Sequence, residues 1–220
     1  KLLTGNVKGL RIGVNESYYF NNIDSGVEAL VRKAIRALQD LGAEVVNVEI
    51  PELKYSQYVA LLIHAADTTA IHHENLQTRP TEFGDDVRRL MCVGEMISAV
   101  DYVYAMQLRQ RICLGFDRAM KDVDLLIGPT LPFTSPLIGK NSVLIDGKEQ
   151  GPLVEHSIRL TGPANVTGLP SITVPCGLVD GMPAGLQLIG RAFREDVILN
   201  AAYAFEKTDP MHGAKPNLEK

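Results

Sequence analysis

Hydrolysis of an acyl bond needs an activated Ser, Cys or Lys together with a base and an oxyanion hole. The sequence has no Gly-x-Ser-x-Gly elbow, no Ser-x-x-Lys motif and no Gly/Ser-rich run that could form an anion-binding nest. Cys176 ends a predicted strand, where catalytic residues often lie in open α/β sheets, but none of the five histidines is a recognisable partner for it. We interpret Cys176 as a structural cysteine and assign no catalytic residue.

The histidines do not form a recognisable metal motif. His72 and His73 are adjacent on a predicted helix, so their side chains point about 100° apart and cannot both face one ion. His64 lies two turns from His72 on roughly the same face, which still gives only two ligands. Glycine spacings typical of nucleotide binding are also missing. We expect no metal and no cofactor.

One polar segment could contact a ligand. Residues 161–170 (TGPANVTGLP) place small, polar and turn-forming residues directly before a buried strand. The side chains of Thr161 and Asn165 can each form a hydrogen bond with the backbone or with a ligand. The segment is therefore either a substrate contact or a structural turn held by its own side chains, and we take Thr161 and Asn165 as candidate substrate-binding residues.

Charge and composition argue against several classes of partner. The formal net charge of −4 and the absence of a basic cluster argue against nucleic-acid binding. Arg109, Arg111, Arg118 and Lys121 alternate with apolar residues, which is typical of a solvated helix face. No apolar run approaches the ~18 residues that a membrane span needs, and residues 1–13 do not resemble a signal peptide. We expect a cytoplasmic protein without a membrane partner.

The three cysteines, Cys92, Cys113 and Cys176, are odd in number and lack metal-like spacing. We expect them to be small buried apolar residues in a reducing compartment.

The elements that must position these residues begin with a βαβ unit. Residues 10–14 are rich in β-forming side chains, and Asp24 or Ser25 can cap a helix with apolar residues at 27, 30, 31, 34, 35 and 38. Gly42 is suited to end this helix, and residues 45–50 resume a strand that stops at Pro51. Two parallel strands with a crossover helix imply a sheet covered by helices.

Helical periodicity then predicts helices over 55–76, 85–93 and 99–120, followed by a buried strand at 124–127. Residues 128–151 are loop-like, with a small hairpin around Asp146-Gly147. Strands at 171–174 and 184–189 pair in an antiparallel manner through a turn at Asp180-Gly181. A helix over 195–207 precedes a tail that we expect to be poorly ordered from Pro210 onward. The prediction is an α/β fold, with one mixed sheet and helices on both faces.

Residues 161–190 (TGPANVTGLPSITVPCGLVDGMPAGLQLIG) closely resemble the C-terminal signature region of the amidase-signature family. Residues 7–14, 41–46, 124–132 and 191–206 follow the family's order and spacing, so the resemblance spans essentially the whole chain. The family includes bacterial amidases and the A subunit of the tRNA-dependent glutamine amidotransferase. The resemblance implies an amidase-signature fold and hydrolysis of the C–N bond of a small carboxylic amide.

The family's Ser–cisSer–Lys triad lies in a region that precedes the part matched here. We therefore expect residues 1–220, which begin at Lys1 rather than Met, to be the C-terminal part of a single amidase domain without its catalytic N-terminal part. The isolated chain should be inactive, because binding groups alone do not accelerate the reaction. Apolar surface left exposed in such a part would favour self-association, so a homodimer is among the expected partners.

The resemblance also assigns a third substrate-binding residue. Arg89 matches the arginine that grips the substrate's α-carboxylate in the A subunits of amidotransferases, although a helix-surface arginine is the plain alternative beside Arg88. Those subunits carry an acidic residue several positions ahead of the asparagine that Asn165 matches, where this chain has His156-Ser157-Ile158-Arg159. A general amidase is therefore favoured over the amidotransferase alternative. The third hypothesis is a non-catalytic module derived from an amidase.

Overall fold

The computed structural model describes residues 3–208 together with residues 213 and 215. Apart from those last two residues, the tail predicted from Pro210 onward lies outside the described part. Within it the strands are β1 (Arg11–Val14), β2 (Glu44–Asn47), β3 (Leu125–Pro129), β4 (Ser142–Ile145), β5 (Lys148–Pro152), β6 (Ser171–Val179) and β7 (Met182–Gly190).

The main sheet has the strand order β2-β1-β3-β7-β6. Its first three strands are parallel, since Ile12 of β1 pairs with Val45 on one side and with Leu125 on the other. Strand β7 runs antiparallel to both β3 and β6. The predicted mixed sheet is therefore confirmed.

The helices are α1 (Glu16–Tyr19), α2 (Ser25–Asp40), α3 (Ser56–Thr78), α4 (Asp85–Glu95), α5 (Ala99–Ala119), α6 (Leu153–Arg159), α7 (Gly162–Thr167) and α8 (Glu195–Glu206). Short 3₁₀ turns at Pro51–Tyr55 and Pro80–Glu82 precede α3 and α4. The long helices lie within three residues of their predicted bounds, whereas the short helices α1, α6 and α7 were not predicted. No helix of residues 3–208 is long and apolar enough to cross a membrane.

The βαβ unit forms as its sequence predicts. The Oδ1 atom of Asp24 accepts hydrogen bonds from the backbone N–H groups of Gly26 at 2.9 Å and Val27 at 3.3 Å, which caps α2. Gly42 follows the helix with a φ of +97°, a conformation that side chains disfavour. Strand β2 ends at Asn47, earlier than the predicted stop before Pro51.

Helices cover both faces of the sheet because the buried strands are apolar at successive positions. Leu125 and Ile127 of β3 pack into a core cluster with α2 and α8, whereas Leu126 between them packs with α3 and α5 on the opposite face. Leu188 and Ile189 of β7 divide between the two clusters in the same way. The predicted arrangement with helices on both faces is confirmed.

The two predicted hairpin turns are present. Both residues of Asp146-Gly147 have positive φ, at 48° and 72°, and so do those of Asp180-Gly181, at 51° and 79°, as type I′ turns require. The prediction that the strand from residue 171 ends at residue 174 was wrong, because β6 continues to Val179 through a bulge between Pro175 and Gly177. A Cβ at Gly177 would lie 2.6 Å from Leu30 Cδ2, so α2 packs closely on this bulge.

Candidate functional site

A cavity of about 370 Å³ lies among helices α3 to α7, a volume within the usual range of small-molecule sites. Its wall is mostly apolar, with four polar side chains. The apolar lining residues are Ala60, Leu61, Ile63, Leu90, Val154, Ile158, Gly162 and Val166, and the polar ones are His64, Asp67, Arg109 and Asn165. The wall residues extend from Ala60 to Val166, 106 positions apart in the sequence, so the cavity depends on how the helices pack.

Arg109 joins two walls of this cavity. Its Nε donates a hydrogen bond to the carbonyl oxygen of Val166 at 2.7 Å, near the C-terminal end of α7. Carbonyls at this end of a helix lack partners within the helix, so a guanidinium satisfies one of them. The prediction of a solvated helix face was wrong for Arg109, which is half-buried, and incomplete for Arg118, which pairs with Glu52 at 2.7 Å. Periodicity could not reveal a partner that lies 57 residues away.

Asp67 places a carboxylate on the same wall and ties α3 to α5. The hydroxyl of Tyr102 donates a hydrogen bond to Asp67 Oδ1 at 3.0 Å. This bond, made to a carboxylate, raises the pKa of the Tyr102 phenol. Among the described residues, Asp67 and Arg109 do not form an ion pair. The cavity wall therefore carries one acidic and one basic side chain that are not in contact.

Helix α6 is held against α1 by Arg159. The guanidinium donates to the carbonyl oxygens of Tyr18 at 3.1 Å and Asn22 at 3.0 Å. The Tyr18 hydroxyl donates in turn to the Arg159 carbonyl oxygen at 2.7 Å. Burial raises the pKa of Tyr18 and lowers that of Arg159. Arg159 is therefore engaged in fixing the α6 wall, and Ile158 is the neighbour that lines the cavity.

The polar segment 161–170 contains a short helix, α7. Its Thr167 Oγ1 donates to the Pro163 carbonyl oxygen at 2.8 Å, and Gly168 ends the helix with a φ of +73°. Asn165 is exposed on α7 and lines the cavity. Thr161 is half-buried, is not part of the cavity wall, and its hydroxyl faces the Ser157 carbonyl at 3.4 Å. Asn165 therefore lies beside a space that can hold a ligand, and the substrate-binding roles of both Thr161 and Asn165 stay predictions.

Arg89 lies on α4 next to the cavity residue Leu90, but it is exposed and is not part of the wall. The neighbouring Arg88 forms an ion pair with Asp85 on its own helix. Within residues 3–208 no hydrogen bond or ion pair engages Arg89. Of the two arginines, Arg89 is therefore the one with a guanidinium available to a ligand, and its substrate-binding role stays a prediction.

The cysteines follow the structural interpretation only in part. Cys176 is buried, its Sγ lies 3.5 Å from the Ala184 carbonyl oxygen, and its surroundings are apolar residues beneath α2 and α8. It therefore lies on the opposite face of the sheet from α3, α5 and α7. Cys92 is exposed and Cys113 is half-buried, so the expectation of three buried cysteines was wrong. Cys92 lies on α4 and Cys113 on α5.

The histidines of α3 have separate partners. His73 contacts Glu95 at 3.7 Å and Gln77 at 3.0 Å, whereas His72 meets the edge of the Phe83 ring. No group of three or more potential metal ligands comes together in the part of the chain that the structure describes.

Comparison with known proteins identifies the family of the chain. The Amidase family model matches residues 2–199. The chain belongs to the amidase family. An amidase crystal structure superposes with a TM-score of 0.85 at 26% identity, over 93% of this chain and 46% of that one. The family and fold implied by residues 161–190 are thereby confirmed.

Curated relatives include the A subunit of glutamyl-tRNA(Gln) amidotransferase from Thermoanaerobacter pseudethanolicus, at 35% identity over 97% of this chain and 47% of the relative. The crystal structure of the corresponding Thermotoga maritima protein has a TM-score of 0.72 at 30% identity, over 98% of this chain and 46% of that one. The chain thus spans about half the length of the relatives it matches. Family membership alone does not separate a general amidase from an amidotransferase component.

Proposed function

We propose that residues 1–220 form the substrate-binding part of an enzyme that hydrolyses the C–N bond of a small carboxylic amide. The observation that carries this proposal is the apolar cavity among α3 to α7, whose polar groups are few and placed at separate points of the wall. Such a site suits a ligand with an apolar body and a neutral polar end. Membership of the amidase family supplies the reaction class.

In this proposal Asn165 recognises the amide end of the substrate. A carboxamide side chain both donates and accepts, so it can satisfy the C=O or the N–H₂ of a ligand amide. The apolar residues, among them Ile63, Ile158 and Val166, hold the acyl part. Arg89, which has no protein partner among the described residues, contributes where the substrate carries a carboxylate at its far end.

The groups that break the C–N bond lie outside residues 1–220 in this proposal. The chain lacks a Gly/Ser-rich run, and the buried Cys176 has an apolar environment. The resemblance assigns catalysis to a Ser–cisSer–Lys triad that precedes the matched region. We therefore treat residues 1–220 as the C-terminal part of a single amidase domain, with the catalytic groups supplied by its N-terminal part.

The A subunit of an amidotransferase is the second candidate, because curated relatives carry that name and Asp67 places a carboxylate on the cavity wall. A carboxylate can hold the amino group of an amino-acid substrate. The Tyr102 hydroxyl occupies one oxygen of Asp67, so Oδ2 is the atom that would accept this bond. Against this candidate, residues 156–159 present the apolar Ile158 to the cavity rather than an acid. We keep a general amidase as the first choice.

Binding to the cavity can be tested on the 220-residue chain itself. Benzamide and hexanamide, titrated into the ¹⁵N-labelled chain, should shift backbone amide resonances of Ala60, Asn165 and Val166. Asn165→Ala should weaken benzamide binding about tenfold, which corresponds to about 1.4 kcal/mol for the loss of one hydrogen bond. Asn47→Ala, at an exposed residue of β2 whose side chain forms no hydrogen bond among the described residues, is the matched control. Shifts confined to other regions would refute the assignment of the cavity.

The reaction class needs a second assay. The isolated chain should release no aryl amine from an aryl amide, whereas the longer protein carrying the triad should do so and lose activity when Asn165 is replaced. Turnover by the isolated chain would contradict the assignment of catalysis to another segment. Inactivity of the longer protein on every amide tested would favour the non-catalytic module. Formation of Gln-tRNA from Glu-tRNA, with glutamine as nitrogen donor, would favour the amidotransferase.

We also propose that the protein is cytoplasmic, that its partner is a small-molecule amide, and that it binds neither nucleic acid nor a membrane. The net charge of −4 and the dispersed basic side chains support the exclusion of nucleic acid.

A further inference from the structure

A groove of about 290 Å³ lies between the 3₁₀ turn Pro51–Tyr55 and the solvent-exposed side of α5. This volume is close to the lower end of the ~300–1,000 Å³ range of small-molecule sites. Among the described residues, none lines both this groove and the cavity among α3 to α7. The charged lining residues of the groove are Glu52, Lys54, Arg111 and Arg118. Three of these four are cationic, in a chain whose formal net charge is −4.

The sequence of α5 explains why these charges meet. Arg111 and Arg118 lie seven residues apart, so both side chains project from one face of the helix. Gly115, between them, lets the 3₁₀ turn approach this face, because a Cβ there would lie only 2.6 Å from Glu52 Oε2. That oxygen is buried, so the Glu52 carboxylate presents little of its negative charge to a ligand in the groove.

Only one of the three cations of the groove is paired. Arg118 Nη2 donates to Glu52 Oε1 at 2.7 Å, and this hydrogen bond lowers the pKa of Glu52. Glu52 therefore stays ionised at neutral pH and holds the Arg118 guanidinium, whose other N–H groups can still donate. Lys54 Nζ lies 5.0 Å from the centroid of the Tyr55 ring. Neither Lys54 nor Arg111 forms a hydrogen bond or an ion pair in the described part of the chain.

We propose that this groove binds the phosphate group of a small phosphate monoester. A phosphate dianion matches the two cationic charges that Glu52 leaves uncompensated, whereas a monocarboxylate would compensate only one of them. Guanidinium groups bind phosphate through paired N–H···O bonds, and a lysine ammonium adds a compact charge. Tyr55 and the half-exposed Leu114 offer apolar surface to the organic part of the ester. This inference does not depend on the proposed catalytic function.

Isothermal titration calorimetry tests the binding, with phenyl phosphate titrated into the 220-residue chain in a phosphate-free buffer. Arg111→Met should weaken the binding about tenfold, because one charge-assisted contact is lost. The double variant Lys54→Met/Arg111→Met should show no measurable binding. Arg36→Met, at an exposed residue of α2, is the matched control and should leave the affinity unchanged. A wild-type chain that does not bind, or a double variant that binds equally well, would overturn the proposal.

Resonance shifts locate the bound ligand. In the ¹⁵N-labelled chain, phenyl phosphate should shift the backbone amide resonances of Lys54, Tyr55 and Gly115 and leave those of Asn165 and Val166 in place, because the latter two line the other cavity. Benzyl alcohol, which carries a ring without the charge, should shift none of them in the groove. Shifts confined to Asn165 and Val166 would contradict a phosphate site in the groove, and the benzamide test of the other cavity would be unaffected.

Two further measurements separate a small phosphate monoester from other occupants of the groove. The longer protein that carries the triad should bind phenyl phosphate as tightly as the 220-residue chain and lose affinity with Arg111→Met. Absence of binding in the longer protein would mean that another segment covers the groove. A short single-stranded RNA that binds more tightly than phenyl phosphate and shifts the same resonances would assign the groove to nucleic acid. Either result would rule out a small phosphate monoester as the ligand.

Discussion

Replacing Arg109 by Met removes the side chain that connects α5 to α7 and keeps most of its apolar stem. The Nε of Arg109 donates to the Val166 carbonyl oxygen at 2.7 Å. A hydrogen bond from a charged donor contributes about 1.5–3 kcal/mol. Because Arg109 is only half-buried, solvent screens part of this value, and we expect a loss of about 2 kcal/mol in the free energy of unfolding.

Urea unfolding followed by far-UV circular dichroism measures this loss. For a chain of this size, about 2 kcal/mol corresponds to a decrease in Tm of about 4–8 °C. Arg109→Lys should fall between the wild type and Arg109→Met, since an ammonium keeps the charge but not the planar Nε donor. Hydrogen exchange should accelerate in α7 before other helices, because its connection to α5 is the contact removed.

Arg36→Met provides the matched control for the loss of a long cationic side chain. Arg36 is exposed on α2 and contacts neither α5 nor α7 by hydrogen bond or ion pair in the described part of the chain. Its replacement should change the unfolding free energy by at most about 0.5 kcal/mol. If Arg109→Met and Arg36→Met cost the same, the hydrogen bond to Val166 does not hold α7 in place on the cavity wall.

Three further substitutions test local features. Gly168→Ala should destabilise the chain by about 1–2 kcal/mol in thermal unfolding, because Gly168 has a φ of +73°. Thr69→Val should lower the free energy of unfolding, measured in urea, by about 1 kcal/mol, because the buried hydroxyl donates to the Met91 carbonyl oxygen at 2.8 Å. Thr69→Ser keeps a hydroxyl and should retain most of this stability. The hydrogen bond from Arg32 lowers the pKa of Glu16 from its ordinary value of 4.5. The ionised Glu16 therefore contributes its full stabilisation of the fold above pH 4.5, and this contribution is lost as the pH falls through the lowered pKa. Glu16→Gln should therefore destabilise the chain at pH 7 and show a smaller further loss on acidification, and identical acid profiles would contradict this.

The sequence predicted elements wherever local signals and periodicity agreed. The α2 helix combines a capping Asp24, a one-sided apolar pattern and Gly42, so its bounds could be inferred before its contacts were known. The type I′ turns were predictable for a similar reason, since Asp180-Gly181 accepts the positive φ that a tight hairpin imposes. In these regions the local preference and the tertiary structure favour the same conformation.

The short helices were not predictable by periodicity. Helix α7 has six residues, less than two turns, so no repeat can be established along it. Its signals were present as Pro163 near the start and Gly168 after the end, but the same residues also favour turns. The bulge at Gly177 posed the opposite problem, because Pro175 and Gly177 suggested an interruption in a strand that tertiary pairing in fact maintains.

The candidate site depends on contacts between distant segments, and this limits what its sequence could reveal. Asn165 was identified because small and polar residues precede a predicted strand, although that strand, β6, is a partly exposed edge strand rather than a buried one. Asp67 and Arg109 gained their positions only through the packing of α3, α5 and α7. Neither residue belongs to a local motif. The side chains that shape a pocket between helices are therefore harder to infer than the residues that end or cap those helices.

The polar groups of the cavity also differ in how much binding capacity they retain. Arg109 already donates through Nε to Val166, and Asp67 already accepts from Tyr102, so part of the capacity of each serves to hold the walls together. Asn165 has no such bond within the described residues, and it is exposed on the wall. A ligand amide can therefore pair with Asn165 without breaking an existing contact, while the charged residues keep the cavity in shape. Under the proposed function, this division favours recognition of a neutral amide over that of an ion, and Asn165 is the position where we expect binding to be lost while the fold is preserved.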